Sequence, residues 1–270
     1  MMVILGEMKR WMRTPIIWMM LLIAVLMTVL SVYGCIQAAS STRESATAQL
    51  TLSELVSTMA FGGALFTSII GILVVTLDVQ SGYYRYLALK HSGFLFITGI
   101  KIGVAAMFAV LTAVINLLAA HWAASIMMKI NAMTYTPPQS IWKWIATYAF
   151  IYVASAAWGV ALGALVRNTV LSITVQFVYQ TLAEARIISA FPKIGRWLFG
   201  GAESAVVDDT ALVERFNTWQ GMGLSVAWVA LLLTLAYVVN SQSYGFKIDG
   251  LRLCGQSTGE DERNGCISTV

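Results

Sequence analysis

The sequence predicts an all-α membrane protein. It has six transmembrane helices, an interfacial helix ahead of the first, a polar elbow between spans 2 and 3, and re-entrant outer helices between spans 5 and 6. Three observations carry that expectation. Of 270 residues, 58% are hydrophobic and only 11% are charged, whereas a soluble domain has about 25% charged residues to coat itself. The mean hydropathy is +0.75, which belongs to helical membrane chains. The apolar runs are continuous, which excludes the alternating segments of a β-barrel.

Residues 1–15 read as an amphipathic helix in the headgroup plane. Lys9, Arg10 and Arg13 mix with Met8, Trp11 and Met12, and Pro15 breaks the segment before the first span. Trp11 reads as an interfacial anchor. The alternative is a basic flank that only orients the first span. Residues 16–240 read as the six-span domain. The first span runs from Ile16 to about Ala39 and reads as a crossing rather than a cleavable leader. After a short polar loop, Leu55 to Leu77 is the second. Gly63, Thr67 and Gly71 fall on one face there, a spacing that lets another helix approach closely. A lining role on a translocation path is the other reading of Gly63 and Thr67.

The elbow, Asp78 to Lys101, is the most polar interruption between two uncharged runs. The third span starts inside it near Phe94 and runs to about Ser125. His121 near its far end reads as a packed or interfacial residue. The fourth span ends at Val166, with Ser155, Gly159 and Gly163 forming a second stripe of small residues. Arg167-Asn168 is a tight turn. The fifth span starts at Thr169 but reaches Glu184 early, which is short for a crossing. Thr169, Ser172, Gln176 and Gln180 make a polar stripe along it. Such groups face a bundle or a wet cavity, because lipid offers them no partner. They serve either as hydrogen bonds between helices or as the lining of a path or dimer seam.

Residues 184–220 form the largest outer segment, too apolar at Ile187, Ile188, Ile194, Trp197 and Phe199 for a solvated loop. Short helices starting near Ser189 and breaking at the glycines are expected there. Glu203, Asp208 and Asp209 read as a solvated face rather than a cation site. Gly221 to Asn240 is the sixth span. Residues 241–270 are expected to be a cytoplasmic tail with a disordered end. Cys35, Cys254 and Cys266 include no CxxC pair, so no metal site is expected.

Charge sets the topology. With both termini inside, Lys9, Arg10, Arg13, Arg85, Lys90, Lys101, Arg167, Lys247, Arg252 and Arg263 lie on the inner side, ten of 17 basic residues; of the outer ones, Arg186, Lys193, Arg196 and Arg215 fall in the long segment, where the positive-inside rule is weak. This explains the net charge of +4 better than nucleic-acid binding does. No Walker A, HExxH, GxSxG or strand-linked GxGxxG motif occurs, and no carboxylate stands isolated within a span. The chain shows neither a hydrolytic site nor an energy source of its own. If it transports, a partner must drive it.

One resemblance follows from these residues. Asp78, then Gly82, Arg85-Tyr86-Leu87, the break at Lys90–Gly93 and finally Lys101 resemble the elbow of permeases in the ABC-2 superfamily of transporters. The Glu7–Pro15 segment is similar to that family's N-terminal connecting helix. Phe191-Pro192, Gly195, Trp197 and Gly200 look like its re-entrant outer helices. Tyr83, His91 and Phe94 stand where many members have Thr, Pro and Arg, which leaves the subfamily open.

The resemblance implies a permease subunit at the plasma membrane, both termini cytoplasmic, that binds no cofactor itself. A separate ATP-binding subunit would supply ATP and Mg chemistry, and a second permease chain, identical or homologous, would complete the assembly. Asp78, Gly82, Tyr83, Arg85, Tyr86, Leu87, Lys90 and Lys101 would couple to that ATPase through a short cytoplasmic helix. Glu7, Arg10 and Arg13 would belong to the connecting helix. Exporters of drugs, lantibiotic or bacteriocin peptides, or lipid-like molecules look similar at this level. The runner-up class is a six-span scaffold that binds lipid or peptide without moving it.

Overall fold

The computed structural model of the chain describes residues 2–41, 52–84, 94–130, 141–207 and 216–255. Every element among them is helical, as a chain in lipid requires, because each backbone N–H and C=O must be satisfied internally. A short helix α1 (Met2–Met12) leads into α2 (Pro15–Ser41), followed by α3 (Leu52–Gln80), α4 (Phe94–Ile130) and α5 (Ile141–Val166). Then come α6 (Thr169–Phe177), a π-helical stretch (Val178–Glu184), and three short helices, α7 (Ala185–Ala190), α8 (Pro192–Gly195) and α9 (Phe199–Val207). The last helix, α10, spans Thr218–Gly255. It continues past Asn240, where the sixth span was expected to give way to a tail. Residues 256–270, with the expected disordered end, lie outside the described residues.

Among the described residues, five helices are long and apolar enough to cross a membrane: Pro15–Gly34, Gly63–Gln80, Phe94–Met127, Ile145–Val166 and Thr218–Asn240. The chain is accordingly a multi-pass membrane protein. The expected fifth of six crossings falls on α6 and the π-helical stretch, nine residues followed by seven. Together they are shorter than the roughly 20 residues a crossing needs.

The centre of the bundle is the contact between α3 and α5. Both stripes of small residues meet there, and the two helices run parallel: Gly63 lies against Tyr152, Gly159 against Ser68, and Gly163 against Ile72. A Cβ on Gly159 would stand 2.0 Å from the Ser68 carbonyl oxygen, and one on Gly71 would stand 2.2 Å from that of Ala156. Only glycine permits backbones this close. Helix α4 closes one side through Ala105, Ala109 and Ala113, and Asn116 Nδ2 donates to the Tyr152 hydroxyl at 3.4 Å. By contrast, α2 and α10 keep broad apolar faces turned outward, with Leu22, Leu26 and Leu30 on one and Val226, Leu231 and Leu235 on the other. In a bilayer, lipid tails cover such faces.

Helix α1 does not lie free at the interface. Trp11 is only 3% exposed and packs with Ile17, Ile70, Val74, Val104 and Phe108. The expectation that it anchors in the headgroups is therefore corrected: a core on three spanning helices buries it. The turn at Thr14 and Pro15 folds α1 back to make this possible, with the Thr14 N–H bonded to the Trp11 carbonyl at 3.0 Å.

Candidate functional site

Glu7 and Arg10 stand three residues apart on α1, so they share a face. Asp78 lies in the last turns of α3, and Lys101 lies two turns into α4. Folding of α1 against the bundle brings all four together. Lys101 Nζ donates to Glu7 Oε2 at 2.6 Å and also to Asp78 Oδ2. One guanidinium nitrogen of Arg10 reaches both Asp78 oxygens, at 2.6 and 2.7 Å, and Glu7 Oε2 at 3.0 Å. Two carboxylates thus face two cations, and the formal charge of the group is zero.

Burial separates the members. Lys101 is 0% exposed, and Glu7 and Asp78 are each 3% exposed, whereas the Arg10 side chain is 37% exposed. Lys101 is therefore the member the group cannot lose, because two buried carboxylates would otherwise keep one half-exposed partner. Tyr83 covers the group, its ring 4.2 Å from the Arg10 guanidinium carbon and 5.7 Å from Lys101 Nζ. Burial alone would raise the Glu7 carboxyl. The Lys101 ammonium, with help from the Tyr83 hydroxyl and Arg10, outweighs it and holds Glu7 below the usual carboxylate range. Burial, and then the neighbouring Glu7, push the Tyr83 phenol up.

The backbone between Asp78 and Tyr83 is shaped to close this lid. The Leu77 and Val79 carbonyls accept from Ser81 and Gly82 N–H at 3.0 and 3.3 Å, which ends α3. Gly82 then turns the chain at φ +74, a conformation that costs other residues about 1 kcal/mol or more. Tyr84, next in line, packs between Ile97, Phe94 and Val79. The site contains paired, fixed charges, and the Tyr83 hydroxyl bonds to the Glu7 carboxylate. What it does physically is fasten α1, the end of α3 and the start of α4 into one unit.

Of the residues singled out in the sequence, the structure gathers Glu7, Arg10, Asp78, Tyr83 and Lys101 here, with Gly82 forming the turn. Arg13 is exposed and stands outside the group. Arg85, Tyr86, Leu87 and Lys90, and with them the expected coupling helix, lie outside the described residues. Gly63 and Thr67 sit in the α3–α5 contact. Thr169 donates to Thr76 Oγ1 at 2.8 Å. Ser172, Gln176 and Gln180 are buried within the chain. Trp158 Nε1 donates to Gln176 Oε1 at 2.9 Å, and Gln176 Nε2 donates to Gln180 Oε1 at 2.8 Å.

A second expectation is overturned. Glu203, read as part of a solvated face, is 8% exposed and accepts from Ser155 Oγ deep in the bundle. Helix α9 folds inward and carries it there. Asp208 and Asp209 lie outside the described residues. The sequence did hold a signal for the inward turn: Phe199, Gly200, Gly201 and Ala202 are too apolar and too small for a surface helix. Comparison of the chain with family models and with curated proteins gives no match.

Proposed function

We propose that the chain is the membrane subunit of an ABC-2-type transporter, driven by a separate ATP-binding subunit and acting in a pair of permease chains. The observation that carries this reading is the buried Glu7–Arg10–Asp78–Lys101 group. It stands at the base of the elbow, at the end of α3 and the start of α4. A soluble partner pressing on that elbow would act on a joint already locked to α1, α3 and α4. Two charge pairs and a covering tyrosine resist relative sliding better than apolar packing, because a shift of a few ångströms strands a buried charge. A push at the surface would therefore move three helices together.

In this reading the joint faces the cytoplasm, the continuous helical run over residues 169–190 (α6, the π-helical stretch and α7) makes the sixth crossing, and ATP and Mg are handled by the partner. Export of a drug, a lantibiotic or bacteriocin peptide, or a lipid-like molecule is the direction we favour. Arg85 and Lys90 would pair with carboxylates on the ATPase, and Tyr83, Tyr86 and Leu87 would supply apolar contact. Mild extraction of the chain from its native membrane, followed by mass spectrometry of what travels with it, tests the reading. A stoichiometric protein with a Walker A and an LSGGQ-type signature supports it. A lone chain with no ATPase at any detergent-to-lipid ratio overturns it.

A further inference from the structure

A second group of ionisable residues lies away from the ion network, and the proposed coupling makes no use of it. Glu184 closes the π-helical stretch and is 1% exposed; Glu203 on α9 is 8% exposed. Ser155, to which Glu203 bonds, sits near the middle of the 26-residue α5. At about 1.5 Å per residue that is roughly 16 Å from the Val166 end, about half the hydrocarbon thickness. Ionisable side chains at such depth are costly and mark function by default.

Among the described residues, the surroundings supply donors but no cation. Glu184 Oε1 accepts from the Gly200 N–H, capping α9, and from the Tyr179 hydroxyl at 3.4 Å. Glu203 Oε1 accepts from Ser155. Glu184 Oε2 is buried and has no hydrogen-bond partner among the described residues. All four described salt-bridge contacts lie in the other group. The facing side chains of α5 that titrate are Tyr148 and Tyr152, and the π-helical stretch adds Tyr179. On the short helices, Arg186 and Lys193 are exposed, and the Arg196 guanidinium lies over Phe216 at 5.2 Å. Helix α10 presents Trp228 here. Asp208, Asp209, Glu214 and Arg215 lie outside the described residues.

From this geometry we infer that Glu184 and Glu203 form a proton-binding site inside the bundle, the pair holding one proton at neutral pH. Two carboxylates this deep cannot both stay charged without a counter-ion. A metal ion fits poorly. The neighbours are mainly N–H and O–H donors, whereas a hard cation needs several oxygen acceptors. There is also no gap for one at Gly200, where even a Cβ would stand 2.8 Å from Glu184 Oε2. A proton needs no gap. The π-helical stretch, a local distortion that recurs at functional sites, sets Glu184 at the required position.

The sign of the linkage follows. The packed state binds a proton that the separated state releases, so packing of α9 against α5 weakens as pH rises. The site stands on its own geometry and does not need the transporter reading. Infrared spectroscopy of the full chain in lipid nanodiscs tests it. At about pH 7, wild type shows the carbonyl-stretch band of a protonated buried carboxyl, and the band titrates away in alkali. The Glu203→Gln and Glu184→Gln variants each lose or shift it. Sodium in place of potassium leaves it unchanged. No such band in wild type at neutral pH overturns the inference whether or not the variants fold, and so does a band that sodium abolishes.

Discussion

Replacing Lys101 with Met tests the ion network most severely. The thioether keeps most of the side-chain volume, so the cost is electrostatic rather than a cavity. Lys101 is fully buried and bonds to both Glu7 and Asp78. Without it, two carboxylates that are each 3% exposed share one half-exposed arginine. Removing one partner from a buried ion pair costs about 3–5 kcal/mol, so the packed state should weaken by more than about a hundredfold. Charge balance then dictates the rescue. Glu7→Gln in the Lys101→Met background leaves Asp78 paired with Arg10 and the group neutral again. The double variant should regain about 2 kcal/mol relative to additive behaviour, within the range seen for directly coupled residues. The assay is denaturant unfolding of the full chain in mixed micelles, with exposed Lys9→Met as a control within about 0.5 kcal/mol. A Lys101→Met loss below about 1 kcal/mol, or two changes that simply add, would refute the reasoning.

Other outcomes follow from the same coordinates. Glu7 is held below its usual range, so its contribution is complete above about pH 4.3 and is lost as pH falls through its lower folded value. Acidification should therefore release α1, read by fluorescence of Trp11, while Glu7→Gln should lose that part of the acid transition. Gly159→Ala should cost about 1–3 kcal/mol, because its Cβ meets the Ser68 carbonyl at 2.0 Å. Gly99→Ala, with nothing within 4 Å, should be neutral or stabilising by about 0.4–1 kcal/mol; thermal unfolding compares the two. Trp158→Phe strands the buried Gln176 carbonyl and should cost about 1–3 kcal/mol, whereas Trp122→Phe, on an exposed face, should not.

Much of the bundle was legible because lipid imposes simple rules. Long uncharged runs became helices, and the two small-residue stripes became the place where α3 and α5 touch. Glu7, Asp78 and Lys101 were legible as members of the elbow and connecting segments, yet nothing in their spacing said that they meet. Their union depends on α1 folding back at Pro15, a tertiary event in which burial of Trp11 prevails over its usual place in the headgroups. Glu203 was misread for a related reason. A carboxylate near Asp208 and Asp209 looks like a water-facing cluster, and only the inward path of α9 puts it beside Ser155. The polar stripe at Ser172, Gln176 and Gln180 was seen; Gln176 and Gln180 find partners within the chain, starting from Trp158, whereas the buried Ser172 hydroxyl finds none among the described residues.

The measurement that bears most directly on the central claim is the affinity between the chain in nanodiscs and the ATPase recovered with it. Wild type is compared with the Arg85→Glu, Tyr86→Ala double variant. Truncating an interface aromatic commonly costs about 2 kcal/mol, so affinity should fall about tenfold or more, with helix content and membrane insertion unchanged. The same kinds of change at Arg43 and Glu44 should leave binding intact. Equal affinity for wild type and the elbow variant would contradict the account.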